Sequence, residues 1–157
     1  MARPTKRPLV LIIRDGWGKN PYPQWNHANA VYLAKSRVLV CLLPATADTV
    51  GLLDRAALEA LPPGAHVVNV ARGGILVDED LIALLDRGHL AGATLDVFRE
   101  EPLPPGHPFW HHPRIALTPH TSAVTQVIDS VAQVADKIRR IERGEPVTGI
   151  IDRARGY

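Results

Sequence analysis

Five short, largely apolar runs, each set off from the next by turn residues or a capped polar stretch, constrain this chain more than any other feature. They occupy residues 9–13, 38–43, 67–70, 93–97 and 115–117. Continuous apolar runs of this length are the pattern of strands covered on both faces, as in parallel sheets. The intervening segments read as helices. One is predicted over residues 28–35; Asp54 caps a short helix that Pro62-Pro63-Gly64 terminates, and Asp78 caps another whose last turn runs into Gly88. Strand–helix alternation predicts an α/β fold with a parallel sheet and right-handed crossovers. Residues 121–143 then form a long amphipathic helix, apolar at Val124, Val127, Ile128, Val131, Val134, Ala135, Ile138 and Ile141.

In such a sheet, ligands bind just beyond the carboxyl ends of the strands. Three residues of the right chemistry follow apolar runs: Arg72 in Asn69-Val70-Ala71-Arg72-Gly73-Gly74, Glu101 in Leu95-Asp96-Val97-Phe98-Arg99-Glu100-Glu101-Pro102, and His120 in Thr118-Pro119-His120. A guanidinium fork grips carboxylates. An imidazole exchanges protons near neutral pH, and an adjacent carboxylate favours its charged form. Each also has a plainer reading. Arg72 could pair structurally with Asp96 or Glu101, His120 could bond only backbone, and Glu101 could be one of two adjacent surface acids.

Composition closes off other classes. The formal net charge is +2, and no basic face with interleaved aromatics appears, so no nucleic-acid partner is expected. No apolar run reaches membrane-spanning length, and the run ending at Arg14-Asp15 is too short for a signal peptide. One cysteine, Cys41, excludes a disulfide framework and fits a reducing cytoplasm. His107, His111 and His112 have no cysteine or carboxylate at ligand spacing and read as a loop, so no metal site is expected. Ser122 and Ser130 lack the context of a hydrolase nucleophile.

Residues 38–157 resemble the carboxyl-terminal part of a D-2-hydroxyacid dehydrogenase, most closely the glyoxylate/hydroxypyruvate reductase branch. The matching pieces are LVCLLPATADTVGLL (39–53), HVVNVARGGILVDEDLIALLDRGHLAGATLDVFREEPLP (66–104), HPRIALTPHTSAVT (112–125) and the terminal DRARGY. The resemblance implies NAD or NADP as cofactor and a small 2-keto acid as substrate. It implies that His120 protonates the keto oxygen, Glu101 orients the imidazole and Arg72 holds the substrate carboxylate. Asp96 would bond the nicotinamide carboxamide, with Asn69, Val70 and Ala71 along the same mouth. Leu43, Pro44 and Thr46 would wall the adenosine half.

Family members also carry a separate substrate domain and a dinucleotide-binding G-x-G-x-x-G turn ahead of this region. Residues 1–35 instead resemble the amino terminus of cofactor-independent phosphoglycerate mutase, in which the aspartate matching Asp15 ligates manganese. The expectation is a fusion of two fragments in one incomplete Rossmann-like domain. Residues 1–35 are borrowed, 36–143 are a partial dinucleotide-binding domain and 144–157 are a tail. In the doubly wound order 3-2-1-4-5-6 the first strand lies beside the fourth. Run 9–13 can fill that slot beside run 38–43, giving a truncated sheet of about five strands. Its turn, Asp15-Gly16-Trp17-Gly18-Lys19-Asn20-Pro21, only partly imitates the phosphate loop, with Pro21 at the third glycine position. The exposed edge left by absent strands predicts a homodimer.

Three functions of different classes follow: a truncated NAD(P)-dependent reductase, a hydrolase using the His120–Glu101 pair on water, and a non-catalytic fold remnant or partner-binding module.

Overall fold

The computed structural model describes residues 10–13 (backbone only), 35–123 and 127–150. The chain divides into two compact units, residues 1–120 and 121–157. Among the described residues the first unit holds a five-stranded sheet, β1 (Val10–Ile13), β2 (Val38–Cys41), β3 (Ala65–Asn69), β4 (Leu90–Leu95) and β5 (Ile115–Leu117), in that spatial order. All four pairings are parallel. β1 therefore occupies the slot beside β2 that the doubly wound order leaves for it. The turn at 15–21 and residues 28–34 of the expected helix lie outside the described residues.

The register aligns the carboxyl ends. Ile13 pairs with Cys41, Cys41 with Asn69, Asn69 with Leu95 and Leu95 with Leu117. This row sets the strand limits, which differ from the apolar runs: β2 stops at Cys41, leaving Leu42 and Leu43 in its exit, and β4 starts at Leu90 and stops at Leu95. At the other end of β3 the register shifts between Ala65 and His66, opposite Gly92. A Cβ on Gly92 would sit 2.9 Å from the His66 ring, whose Nε2 bonds Thr94 Oγ1 at 3.0 Å.

Among the described residues, two α-helices serve this sheet. α1 (Arg55–Glu59) starts as the sequence predicts, with the Asp54 carboxylate accepting the Ala57 N–H at 2.9 Å. α2 (Asp78–Asp86) corrects one expectation, because its cap is Val77, with no side-chain bond, and Asp78 is already helical. The reason is an isolated bridge between Leu53 and Leu76, continued by Val77 N–H donating to Leu53 O at 3.1 Å, which keeps the chain extended through Val77. Asp78, Glu79 and Asp80 then lie in the first turn, where the helix dipole favours anions. Burial pushes the Asp78 carboxyl up from the ordinary range, against the opposing charges of Arg99 and His107. Asp80 reaches across to α1, pairing with Arg55 at 3.1 Å. Gly88 ends the helix at φ 74°, as expected of a left-handed stop. Leu81, Leu84 and Leu85 of α2 are fully buried with Leu39, Cys41, Val67 and Leu95 of the sheet. Burial also raises the Cys41 thiol pKa, holding it in its unreactive form.

The second unit carries α3 (Val127–Glu142). Thr121, Ser122 and Ala123 are not helical, so this helix is shorter than residues 121–143. Gly144, at φ 69°, ends it. No helix among the described residues is long and apolar enough to cross a membrane.

Candidate active site

Because the strand ends are in register, the exits of β2 through β5 open on one edge. The β3 exit is built by Asn69, which is fully buried. Its Oδ1 accepts the Ala71 N–H at 3.1 Å, and its Nδ2 donates to Arg72 O at 3.2 Å. The strand is thereby folded into a tight step that ends at Arg72. A 3-10 turn, Gly73–Ile75, follows immediately. A Cβ on Gly73 would stand 1.8 Å from the carbonyl carbon of Phe98, so the β3 and β4 exits touch backbone to backbone. The Arg72 side chain is exposed, with Nη1 donating to Ala71 O at 2.6 Å.

The β4 exit begins at Asp96, also fully buried, whose N–H donates to Asn69 O at 3.0 Å. Its carboxylate Oδ1 accepts the Thr118 hydroxyl at 2.5 Å. Beyond it, Glu101 closes a loop: Oε1 accepts the Phe98 N–H at 2.9 Å, and Oε2 lies 2.7 Å from His120 Nδ1. The β5 exit runs from Thr118, whose N–H donates to Leu95 O at 3.0 Å, to His120 at φ 54°. A left-handed backbone is uncommon for a residue other than glycine, though histidine adopts it more readily than most.

Glu101 is held below the usual glutamate range, first by its hydrogen bond with His120 and then by the Phe98 N–H. The positive charges of His120 and Arg72 add smaller contributions, and burial opposes them. Both partners stay open to water, with side chains 48% (His120) and 35% (Glu101) exposed. With Nδ1 engaged by Glu101, Nε2 is the nitrogen left for proton exchange. A cavity of about 550 Å³ adjoins the pair, its apolar wall made by Phe98, Leu103, Trp110 and Leu117.

Of the three chemical residues, the structure brings Glu101 and His120 into direct contact. Arg72 is outside that cavity's lining but near enough to act on the Glu101 charge. The remaining candidates divide between the exits. Leu43 is 2% exposed and belongs to the core, so only its backbone faces the β2 exit. Pro44 O accepts the Thr49 hydroxyl at 2.7 Å, and the same hydroxyl accepts the Thr46 N–H at 2.8 Å. Val70 is half-buried, and Ala71 is buried. Sequence reasoning passed over two threonines, Thr49 and Thr118, that organise these loops. A small hydroxyl residue at a strand exit was the available signal, and its partner becomes evident only once the strands are paired. Elsewhere, His107 stands 3.7 Å from Asp78 and His112 3.3 Å from Asp86. No group of three or more His, Cys, Asp or Glu among the described residues could hold a metal ion.

A parallel sheet with this edge is a Rossmann-like nucleotide-binding domain, and comparison with known proteins narrows the class. Residues 22–122 match the D-isomer specific 2-hydroxyacid dehydrogenase NAD-binding domain, and the chain belongs to that family. It is 52% identical over 126 residues to glyoxylate/hydroxypyruvate reductase A of Salmonella newport, covering 80% of this chain and 40% of that protein. Among solved structures, a D-isomer specific 2-hydroxyacid dehydrogenase from Xanthobacter autotrophicus in complex with NADPH and MES superposes with TM-score 0.80 at 44% identity. That match covers 83% of this chain and 54% of the other. An NADPH-dependent glyoxylate/hydroxypyruvate reductase from Sinorhizobium meliloti, in complex with NADP and sulfate, gives TM-score 0.80 at 36% identity, over 83% and 43% of the two chains. The chain thus spans 40% of the length of the curated relative it matches. The family match opens at residue 22, inside the stretch expected to be borrowed, and nothing in the comparisons shows a mutase segment.

Proposed function

We propose that this chain carries the cofactor-binding and proton-transfer machinery of an NAD(P)H-dependent reductase of small 2-keto acids of the glyoxylate and hydroxypyruvate type. The observation that carries the reading is the 2.7 Å His120–Glu101 pair on the carboxyl-end edge of the sheet. Its family setting, with relatives named for that reduction, supplies the substrate class. In this reading Arg72 grips the keto acid's carboxylate, and its charge helps polarise the keto oxygen. His120 Nε2 delivers a proton to that oxygen, leaving a neutral imidazole. Glu101 accepts the Nδ1–H, fixes the tautomer and stabilises the imidazolium that precedes transfer. The reduced nicotinamide, when bound, supplies the hydride.

The residues present fit such a cofactor. Pro44, Thr46 and Val70 are half-buried on the β2 and β3 exits, and Asp96 marks the β4 exit. Asp96, Asn69, Val70 and Ala71 would hold the nicotinamide end; Leu43 (by its backbone), Pro44 and Thr46 would hold the adenosine end. We take residues 36–143 as a partial dinucleotide-binding domain, 144–157 as its tail and the protein as a cytoplasmic homodimer. We take residues 1–35 as derived from a mutase amino terminus on likeness of sequence alone, although the dehydrogenase family match opens within them, at residue 22.

Calorimetric titration with NADH and NADPH tests cofactor binding, with Asp96→Asn as the control. Micromolar binding weakened by the substitution, followed by glyoxylate-dependent cofactor oxidation, supports the proposal. Absence of heat with either cofactor overturns it. Ester cleavage abolished by His120→Ala, without keto-acid turnover, would transfer the pair to hydrolytic work on an exposed water.

A further inference from the structure

We propose that Asp78 is a positioning residue for the His120–Glu101 pair: through Arg99 and His107 it clamps the loop that presents Glu101. The inference deepens the reductase reading and rests on it for any effect on turnover. Residues 96–107, which include Glu101, are neither helix nor strand. From Leu103 onward the loop is fastened by burial of Leu103 and Phe109. Pro104 O adds to this, accepting the His107 N–H at 2.9 Å and Trp110 Nε1 at 2.8 Å. Residues 99–102 are all exposed, so burial does not hold them. Two side chains that bracket Glu101 return instead to the start of α2. Arg99 Nη2 donates to Leu76 O at 3.0 Å, and its charge acts on the Asp78 carboxyl. His107 Nδ1 accepts the Phe109 N–H at 3.3 Å, so its proton lies on Nε2, 3.7 Å from Asp78 Oδ2. That separation is an electrostatic contact, longer than a hydrogen bond. The platform beneath is firm, because Val77 N–H bonds Leu53 O and Leu81, Leu84 and Leu85 anchor α2 in the core.

Helix stability does not account for where Asp78 lies. Val77 is the cap, and Glu79 and Asp80 already give the first turn its negative charge. Yet the Asp78 side chain is only 13% exposed, and burial, the largest influence on its carboxyl, pushes it up. Burying a carboxylate is costly unless partners meet it. Here the partners, Arg99 and then His107, come from the Glu101 loop and pull the carboxyl back down. The stretch 99–107 is thus held at both ends with Glu101 inside it. From that position Glu101 Oε1 accepts the Phe98 N–H at 2.9 Å, and Oε2 meets His120 Nδ1 at 2.7 Å. Both members of the pair are open to water, so close packing does not fix them; the placement of the loop does.

Titration of the Glu101 carboxyl, followed by NMR in the whole chain, tests the clamp apart from turnover. If Asp78→Asn releases the loop, Glu101 loses part of its His120 hydrogen bond, and its titration rises toward the ordinary glutamate range. Charge alone predicts the reverse, because removing a neighbouring anion favours ionised Glu101. Arg99→Lys keeps the charge but gives up the guanidinium fork. It should raise the titration by a smaller amount, and it carries the test if Asp78→Asn fails to fold. For Asp78→Asn, kcat of keto-acid reduction should fall about tenfold or more, with KM changed less than ~twofold. In a Glu101→Gln background the same substitution should cost under ~twofold, since its effect passes through Glu101. A Glu101 titration unmoved or lowered in both variants overturns the proposal. So do losses of turnover that add in the Glu101→Gln background. A raised titration without keto-acid turnover even in the wild type keeps the clamp and removes the reductase reading.

Discussion

The exits of β3 and β5 reach the same edge by opposite means. The β3 exit is locked: a fully buried Asn69 bonds two backbone groups downstream of itself, and Gly73 is pressed against the Phe98 backbone. The β5 exit is held at Thr118, by Asp96 and Leu95, and then opens to a half-exposed His120 at φ 54°. The difference matches the roles proposed for the two groups. A guanidinium that positions a carboxylate acts through a fixed direction, so rigidity belongs in its backbone. An imidazole that exchanges protons must reach substrate and solvent, so it is steadied by one carboxylate partner.

The locked exit breaks hardest. Gly73→Ala places a Cβ 1.8 Å from a backbone carbon that cannot rotate away, so the two exits must part. A loss of ~4 kcal/mol or more is expected, of the exceptional class for single substitutions, with Arg72 displaced. Urea denaturation checks the stability, and retention of wild-type stability would show that the exits do not need their backbone contact. At the open exit the effect moves from folding to chemistry. His120→Asn keeps a residue tolerant of left-handed backbone, so folding should be nearly unchanged. Keto-acid turnover should fall ~10²- to 10⁴-fold with cofactor affinity retained. Steady-state kinetics beside calorimetry separates the two, and turnover within a few-fold of wild type would remove His120 as the acid.

The anchor beneath both exits ranks next. Thr118→Val replaces the hydroxyl by a methyl and withdraws one donor from the fully buried Asp96 carboxylate. A cost of ~1–3 kcal/mol is expected, with weaker cofactor binding if Asp96 serves the nicotinamide end. Thermal denaturation with and without NADPH distinguishes the two losses.

Much of this edge was legible beforehand, for a physical reason. Apolar runs mark strands, strands of a parallel sheet end in register, and Arg72, Glu101 and His120 therefore had to emerge together. Pairings made through the fold were not legible. Asp96 and Thr118 are 22 residues apart and meet only because β4 and β5 are neighbours. The α2 cap failed similarly: Asp78 is a good capping residue by local rules, but the Leu53–Leu76 bridge, a tertiary contact, moves the helix start. Periodicity likewise revealed the apolar face of α3 while carrying no information about what covers it.

The smallest effect sharpens the comparison furthest, because it separates what the Glu101–His120 pair does for folding from what it does for catalysis. Glu101 has its pKa lowered in the folded protein, chiefly by the His120 hydrogen bond. A carboxyl depressed on folding stabilises at pH above its unfolded value, ~4.3 for glutamate, and that stabilisation is lost as pH falls through the folded value. Because the pair is exposed to water, solvent screening keeps the gain under ~1 kcal/mol. Glu101→Gln should therefore differ from wild type by this small amount near pH 7, and the difference should vanish as pH falls past both values. Turnover should respond far more, and its acid limb should move, because the amide cannot stabilise imidazolium. Paired urea titrations and pH–rate profiles read the two effects separately. A pH–rate profile unchanged by Glu101→Gln would show that the open exit works without its carboxylate, and His120 would then owe its placement to the Thr118 anchor.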